Sequence, residues 1–163
     1  MTLRQLEAES IRKFVEQAGI DGYLSGRVLD YGCGEQPYRS LVQSFGAHYI
    51  GYDDPKHPGS VVDEYVGDWS ETDPIDTILC TQVVQYVPDV RALLAHFAKF
   101  TATLVLTGPT SWPEVEPEDL HRHTQAGIRR LLEEAGFTVI SIAPRAYYPG
   151  TELSLGYGAI ARA

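Results

Sequence analysis

The amino-terminal segment shows apolar residues at helical spacing, with polar residues between them. This pattern predicts an amphipathic helix over residues 1–19, which ends at Gly19. Thr2 and Gln5 fit a capping box, in which each side chain bonds the backbone N–H of the other residue. The apolar positions of this helix are Leu3, Leu6, Ile11, Phe14, Val15 and Ala18.

Further along the chain, short apolar runs alternate with helical patterns. Strands are predicted at 26–31, 48–52, 60–66 (a weak pattern), 75–80, 101–106, 137–142 and 155–161. Helices are predicted at 37–45, 88–100 and 124–135. Such alternation is typical of an α/β fold, a mainly parallel sheet covered by helices on both faces. The stretch 107–123, with three prolines and many acids, is predicted to be a long functional loop.

Length and charge narrow the class of protein. The 163 residues predict one domain over 1–163, with the amino-terminal helix at 1–19 and the core at 26–163. A net charge of −9 disfavours binding to nucleic acid or to an anionic membrane surface. No apolar run approaches the roughly 20 residues of a membrane-spanning helix. Two cysteines form neither a disulfide scaffold nor a zinc ribbon. We therefore expect a soluble, cytoplasmic protein.

Residues that could bind a ligand lie at the ends of two predicted strands. The strand at 26–31 includes an acid, Asp30, just before Gly32, Cys33 and Gly34, and the strand at 48–52 is followed by Asp53 about 20 residues on. Glycines let the backbone approach a ligand closely, and a strand-tip acid can accept hydrogen bonds from ribose hydroxyls. The pattern therefore predicts a nucleoside-binding crevice.

A dinucleotide site is the competing interpretation. Its fingerprint, Gly-x-Gly-x-x-Gly, requires a third glycine. That position is Pro37 here. An NAD(P)-dependent oxidoreductase therefore remains the weaker alternative.

With these motifs the chain resembles, nearly end to end, the class I S-adenosylmethionine (SAM)-dependent methyltransferases. Further motifs lie at 66–69, 75–87, 121–124 and 127–137. The segments 32–38, 54–59 and 112–114 look like the small-molecule, methyltransferase type 11-like subgroup. The resemblance implies a three-layer, Rossmann-like, doubly wound sheet of seven strands, in the order 3-2-1-4-5-7-6 with strand 7 antiparallel.

The resemblance also implies a cofactor site. Asp30 and the glycines would hold the amino-acid end of SAM, Asp53 the ribose, and Asp68 with Trp69 the adenine end. The other wall would be formed by Thr81 and Gln82. The full set of implied cofactor-binding residues is Asp30, Gly32, Cys33, Gly34, Tyr38, Asp53, Asp54, Asp68, Trp69, Thr81 and Gln82.

For catalysis, the candidate general bases are His121, His123 and Tyr86. The two histidines can equally be solvated side chains at a loop-to-helix junction, and we predict no metal site. The acceptor is expected to be a small molecule, and the protein a monomer or homodimer. Gln85 and Tyr86 stand where the family often has Glu-His. A non-catalytic, SAM-binding or scaffolding subunit therefore stays open as an alternative.

Overall fold

The computed structural model describes residues 1–53, 74–114, 117 and 119–163. The helices in these ranges are α1 (Leu3–Ile20), α2 (Arg39–Ser44), α3 (Val90–Phe97) and α4 (Gln125–Glu134). The strands are β1 (Arg27–Tyr31), β2 (His48–Tyr52), β3 (Ile75–Thr81), β4 (Thr101–Pro109), β5 (Thr138–Tyr147) and β6 (Ser154–Arg162). A short 3₁₀ turn covers Val84–Tyr86. None of the helices in this part of the chain is both long enough and apolar enough to span a membrane.

The six described strands form one sheet in the order β2-β1-β3-β4-β6-β5. β1 runs parallel to β2 and β3, and β3 runs parallel to β4. β6 is antiparallel to both β4 and β5. The chain leaves β1 for β2 on one side and returns to β3 on the other side. Such a reversal opens a crevice at the carboxyl ends of the central strands, where open α/β sheets bind ligands.

The predicted α/β fold is confirmed for the described residues, and their sheet is mixed. The predicted strand at 60–66 lies outside these residues. The count of seven strands and their order therefore stay a prediction.

Helix α1 begins as its capping box predicts. The Thr2 hydroxyl accepts a hydrogen bond of 3.2 Å from the backbone N–H of Gln5, whose side chain accepts one of 2.7 Å from the N–H of Thr2. Towards the sheet, the helix buries Val15 in a core that includes Val28 and Val105. Full burial of one such side chain contributes about 1.5–3 kcal/mol to stability, so this face holds α1 against the sheet.

Helices α3 and α4 cover the opposite face of the sheet. Leu29, next to Val28 in β1, belongs to this second core, because successive side chains of a strand point to opposite faces. Leu94 of α3 and Leu132 of α4 are fully buried there. The two cores make the fold three layers deep.

Helix α3 ends earlier than predicted, at Phe97 and not at Phe100. The backbone N–H of Lys99 donates to His96 and that of Phe100 donates to Phe97, each three residues back. Bonds to the residue three positions back are typical of a 3₁₀ turn, which is tighter than an α-helix, so the α-helix does not continue. Phe100 still packs against the core, which explains why the apolar pattern continued past the helix.

Two strands are longer than their apolar runs predict. β4 extends to Pro109 and β5 to Tyr147, because β6 pairs with both beyond the predicted ends. Gly156 of β6 lies opposite Pro109 on one side and Ala146 on the other. The predicted loop at 107–123 therefore begins three residues later, at the end of β4.

Candidate active site

The turn that follows β1, residues 32–36, is called the glycine turn below. Gly32 (φ 76°) and Gly34 (φ 52°) both have left-handed backbone conformations, which glycine adopts without strain. The backbone N–H groups of Gly32 and Cys33 donate to the carbonyl oxygen of Tyr52, at 2.8 and 3.1 Å. A side chain on Gly32 would collide with Val83. The turn is thus attached to the end of β2 and packed against the segment after β3.

Asp53 and Gly34 are brought together across this crevice. Asp53 Oδ2 accepts a hydrogen bond of 2.7 Å from the backbone N–H of Gly34. Sequence spacing placed the acid at the tip of β2. The structure adds that its carboxylate also holds the glycine turn.

Asp30 is a buried acid at the floor of the crevice, with 1% of its surface exposed. The hydroxyl of Tyr49 donates to its Oδ2 at 2.6 Å, whereas its Oδ1 has no hydrogen-bond partner among the residues described. Burial raises the pKa of Asp30 to about 7. The Tyr49 hydrogen bond lowers it, and the charge of Asp53 raises it. A cation beside Oδ1 would stabilise the ionised carboxylate.

The two cysteines are both buried. Burial, with the charges of Asp30 and Asp53, raises the pKa of the Cys33 thiol to about 11. Burial and the charge of Asp30 also raise the pKa of the Cys80 thiol. Neither is the low-pKa thiol that a nucleophile requires. Cys33 can therefore contribute to the site mainly through its backbone.

Gln36 is a feature of the glycine turn that the sequence analysis missed. It has a left-handed conformation (φ 58°), which is uncommon for a residue with a side chain. Its side chain lies over Gly51 and accepts a hydrogen bond of 3.0 Å from Arg39 Nη1. The third special backbone position is thus Gln36 and not Pro37. The sequence signal for this position is its regular spacing, because Gly32, Gly34 and Gln36 follow one another at intervals of two residues.

The other wall of the crevice is formed where the segment after the glycine turn contacts the end of β3. The side chains of Tyr38 and Thr81 are hydrogen-bonded, and burial raises the pKa of Tyr38 to about 12. Gln82 also has a left-handed backbone (φ 56°), and its N–H donates to Thr107 at 3.2 Å. Its carbonyl oxygen accepts a bond of 2.9 Å from Gln85 Nε2. Three predicted residues, Tyr38, Thr81 and Gln82, therefore lie along the segments that bound the crevice.

A pocket of about 250 Å³ shares Gln82 with the crevice; it is called the α1 pocket below. Helix α1 forms one side of it, and the segments that follow β3 and β4 form the other. Its lining residues are Arg4, Glu7, Ala8, Ile11, Gln82, Gln85, Tyr86, Pro109, Trp112 and Asp119. A molecule in this pocket would lie beside a ligand in the crevice.

Arg145 of β5 attaches α1 above the sheet. Its guanidinium donates to Glu7 Oε1 and to Ser10 Oγ, each at 2.7 Å, and to the carbonyl oxygen of Tyr157 at 2.8 Å. The Arg145 side chain is 1% exposed and that of Glu7 is 11% exposed. The wall that α1 contributes to the pocket is thus held by a buried ion pair.

The predicted loop is attached to the same pocket. The carbonyl oxygen of Gln85 accepts hydrogen bonds from the N–H groups of Leu120 and His121. Arg122 pairs with Asp119 and donates to the carbonyl oxygen of Trp112. Sequence analysis missed these roles of Gln85 and Arg122. The only sequence signal for the role of Arg122 is that an acid, Asp119, lies three residues before it.

The three candidate bases are not gathered in one place. Tyr86, 41% exposed, lines the α1 pocket. His121 lines a neighbouring pocket of about 350 Å³, and its ring centroid is 5.6 Å from that of His123. Burial lowers the pKa of His123, and His121 lowers it further. The described lining of the α1 pocket includes neither histidine. Within the described ranges, no group of three or more His, Cys, Asp or Glu residues could hold a metal ion.

Three of the predicted cofactor-binding residues, Asp54, Asp68 and Trp69, lie outside the described residues. Their roles stay predictions.

Comparisons with known proteins agree on the kind of domain. A family model described as a methyltransferase domain matches residues 3–142. No curated protein matches the chain.

Solved structures with the same fold are numerous. Magnesium protoporphyrin IX methyltransferase from Synechocystis PCC 6803, with bound SAM, is 21% identical, with a TM-score of 0.63 over 94% of this chain and 82% of that chain. A SAM-dependent methyltransferase from Archaeoglobus fulgidus is 19% identical, with a TM-score of 0.62 over 93% and 94%. Mitomycin 7-O-methyltransferase is 16% identical, with a TM-score of 0.61 over 92% of this chain and 54% of that one. At these identities the likeness is one of fold.

Proposed function

The chain belongs to the methyltransferase domain family, and we propose that it transfers the methyl group of SAM to a small-molecule acceptor. It is a SAM-dependent methyltransferase by family and by fold. The acceptor and the residues that act on it are the proposed part.

The residues of the crevice fit SAM, and one observation supports this most directly. Asp30 presents a buried oxygen without a partner among the described residues, next to the glycine turn. The amino-acid end of SAM bears an ammonium group, which would supply the missing positive charge. No described atom lies within 4 Å of the place where a Cβ of Gly34 would be, so the turn leaves room for a ligand. A pyrophosphate at this turn would instead face the carboxyl groups of Asp30 and Asp53, which argues against NAD(P).

Each described residue then has a distinct task. Asp30 would bind the ammonium group, Asp53 the ribose hydroxyls, and the backbone of the glycine turn would approach the methionine portion. Tyr38, Thr81 and Gln82 would form the other wall. Asp54, Asp68 and Trp69 are proposed for the ribose and adenine end.

SAM supplies an electrophilic methyl group on a sulfonium ion, so the protein mainly aligns the acceptor with it. Tyr86 could remove a proton from an acceptor in the α1 pocket. His121 lines the neighbouring pocket and could serve an acceptor that reaches it. The pKa of the adjacent His123 is lowered, which favours the neutral imidazole that a base requires.

The size of the α1 pocket supports a small acceptor, since about 250 Å³ is just below the usual range of roughly 300–1,000 Å³ for ligand sites. The net charge of −9 supports an acceptor that is not a nucleic acid. The proposal includes a seventh strand at 60–66, one domain over 1–163, a cytoplasmic location, and a monomer or homodimer.

A SAM-binding subunit without its own activity is the second candidate. It is favoured by Gln85, which stands where the family often has an acid and is only 3% exposed. Its Nε2 donates to Gln82, so its visible role is to hold the segment after β3.

Titration calorimetry with SAM, S-adenosylhomocysteine (SAH) and NADH tests the proposal. We expect saturable binding of SAM and SAH and no heat from NADH. NADH binding without SAM binding would overturn it. Mass spectrometry of methylated products over a panel of small acceptors then separates the two candidates. Binding without turnover over the whole panel would favour the non-catalytic subunit.

A further inference from the structure

The α1 pocket contains two acids, and each is already neutralised by an arginine. Glu7 is paired with Arg145 at 2.7 Å, and Asp119 is paired with Arg122. A cationic acceptor would therefore compete with a guanidinium for either carboxylate, although Glu7 Oε2 is itself buried without a hydrogen-bond partner among the described residues. Such competition is costly when the pairs are mostly buried.

Arg4 is the third charged residue that lines this pocket, and unlike Glu7 and Asp119 it has no ion-pair partner among the described residues. It lies in the first turn of α1, three residues before Glu7, and it is exposed. Within the described ranges it makes no hydrogen bond or ion pair. The first turn of α1 contains no acid, and Glu7, three residues on in the same helix, is paired with Arg145. A cation at a helix amino terminus is also unfavourable with the helix dipole, and an anion beside it would relieve this.

The rest of the pocket is largely apolar and partly aromatic. Tyr86 and Trp112 contribute rings, and Ala8, Ile11 and Pro109 contribute aliphatic surface. Flat apolar molecules suit such walls, because aromatic rings pack with offset or edge contacts.

Resting on the proposed function, we propose that the methyl acceptor is a small aromatic carboxylate, whose carboxylate group pairs with Arg4 while its ring lies between Tyr86 and Trp112. A hydroxyl or amino group elsewhere on the acceptor attacks the sulfonium methyl, so that its bond to carbon forms as the S–CH3 bond of SAM breaks, and SAH and one proton are released. One unpaired arginine matches a group with a single negative charge. An arginine and a carboxylate can form two parallel hydrogen bonds, which also orients the ring.

Three probes of similar size separate the possible charges: phenylacetate, 2-phenylethanol and phenethylamine. Their dissociation constants are measured by ligand-observed NMR on the full chain saturated with SAH. We expect phenylacetate to bind most tightly. Raising the salt concentration should weaken it, because Arg4 is exposed.

Three variants locate the effect. Arg4→Gln should weaken phenylacetate about two- to fivefold, as expected for an exposed ion pair, and leave the other two probes unchanged. Lys13→Gln is the matched control, because it removes an exposed cation of the same helix that pairs with Glu9. It should change nothing. Ala8→Trp fills the pocket from an exposed helix position and should weaken phenylacetate in proportion to the space lost.

The affinity for SAH is measured first in every protein, which separates the two levels of the proposal. Absence of SAH binding would overturn the proposed function itself. If SAH binds, the acceptor class is overturned by tightest binding of phenethylamine or 2-phenylethanol, by no effect of Arg4→Gln, or by no binding of any probe.

Discussion

Asp53 and Gly34, 19 residues apart, are joined by a hydrogen bond of 2.7 Å from the backbone N–H of Gly34 to Asp53 Oδ2. The acid at the tip of β2 thus orients the turn that follows β1. One carboxylate oxygen, Oδ2, thus accepts a hydrogen bond from the protein's own backbone. In the proposed function, the same side chain also binds the ribose. If Asp53 binds the ribose as proposed, cofactor binding and the shape of the turn are coupled through a single residue.

Replacing Asp53 should separate these two roles. Asp53→Ala should weaken SAH binding by about 1.5–3 kcal/mol, the range for hydrogen bonds to a charged group, and lower the free energy of unfolding by about 1 kcal/mol. Asp53→Asn keeps an acceptor for the Gly34 N–H, so it should retain stability while losing affinity. Calorimetry and urea unfolding measure the two effects. Asp21→Ala, an exposed acid at the end of α1, is the control. An unchanged dissociation constant in folded Asp53→Ala would show that another residue binds the ribose.

Asp30 should make the stability of the ligand-free protein depend on pH. Its pKa rises from 3.8 to about 7 on folding, so the folded state retains a proton that the unfolded state has lost. The contribution of Asp30 to stability is therefore highest below pH 4, falls as the pH rises towards 7, and stays low above it. The shift corresponds to a loss of at most about 4 kcal/mol.

Asp30→Asn removes this titration and keeps an oxygen that can accept the Tyr49 bond. The variant should gain stability relative to the parent as the pH rises from 4 to 7, with a constant difference above that. Urea unfolding at pH 4.5, 6, 7 and 8.5 measures it. Parallel curves for the two proteins would contradict a raised pKa at Asp30. The variant should also bind SAH more weakly at every pH, since it cannot become negative.

Arg145 should be needed to hold α1. Arg145→Met leaves the buried Glu7 carboxylate without its partner, which is expected to cost about 3–5 kcal/mol of unfolding free energy. Adding Glu7→Gln should recover part of this loss. The exposed pair of Lys13 and Glu9 provides the comparison, because Lys13→Gln should cost less than 1 kcal/mol. Equal effects of Arg145→Met and Lys13→Gln in urea unfolding would contradict the role of the buried pair.

The alkylation rates of the two thiols should show whether a ligand occupies the crevice. At pH 8 almost none of Cys33 is thiolate, because its pKa is about 11, so alkylation is expected to be slow. Saturating SAH should slow Cys33 further, since a ligand that binds the folded protein stabilises the structure in which this thiol is buried. Each cysteine peptide is followed by mass spectrometry in a time course. Equal rates with and without SAH at both Cys33 and Cys80 would mean that the ligand does not bind between β1 and β3.

Much of the fold could be predicted from the sequence, because it depends on neighbouring residues. The capping box of Thr2 and Gln5 and the strand that ends at Tyr31 follow from patterns only a few residues long. The glycine turn and Asp53 could be linked because consecutive strands with a helix between them are usually neighbours in a parallel sheet. Local sequence patterns therefore determined the α/β class and the crevice, and the family resemblance of the sequence indicated the cofactor.

The α1 pocket depended on tertiary structure. Arg145 and Glu7 are 138 residues apart, and no local pattern pairs them. Their contact makes α1 a wall of the pocket. Gln82 and Gln36 adopt left-handed backbones that local preference disfavours, because bonds to distant strands and packing over Gly51 outweigh it. Short-range preferences form the helices, the strands and the turn, whereas contacts between distant segments decide which side chains line the α1 pocket.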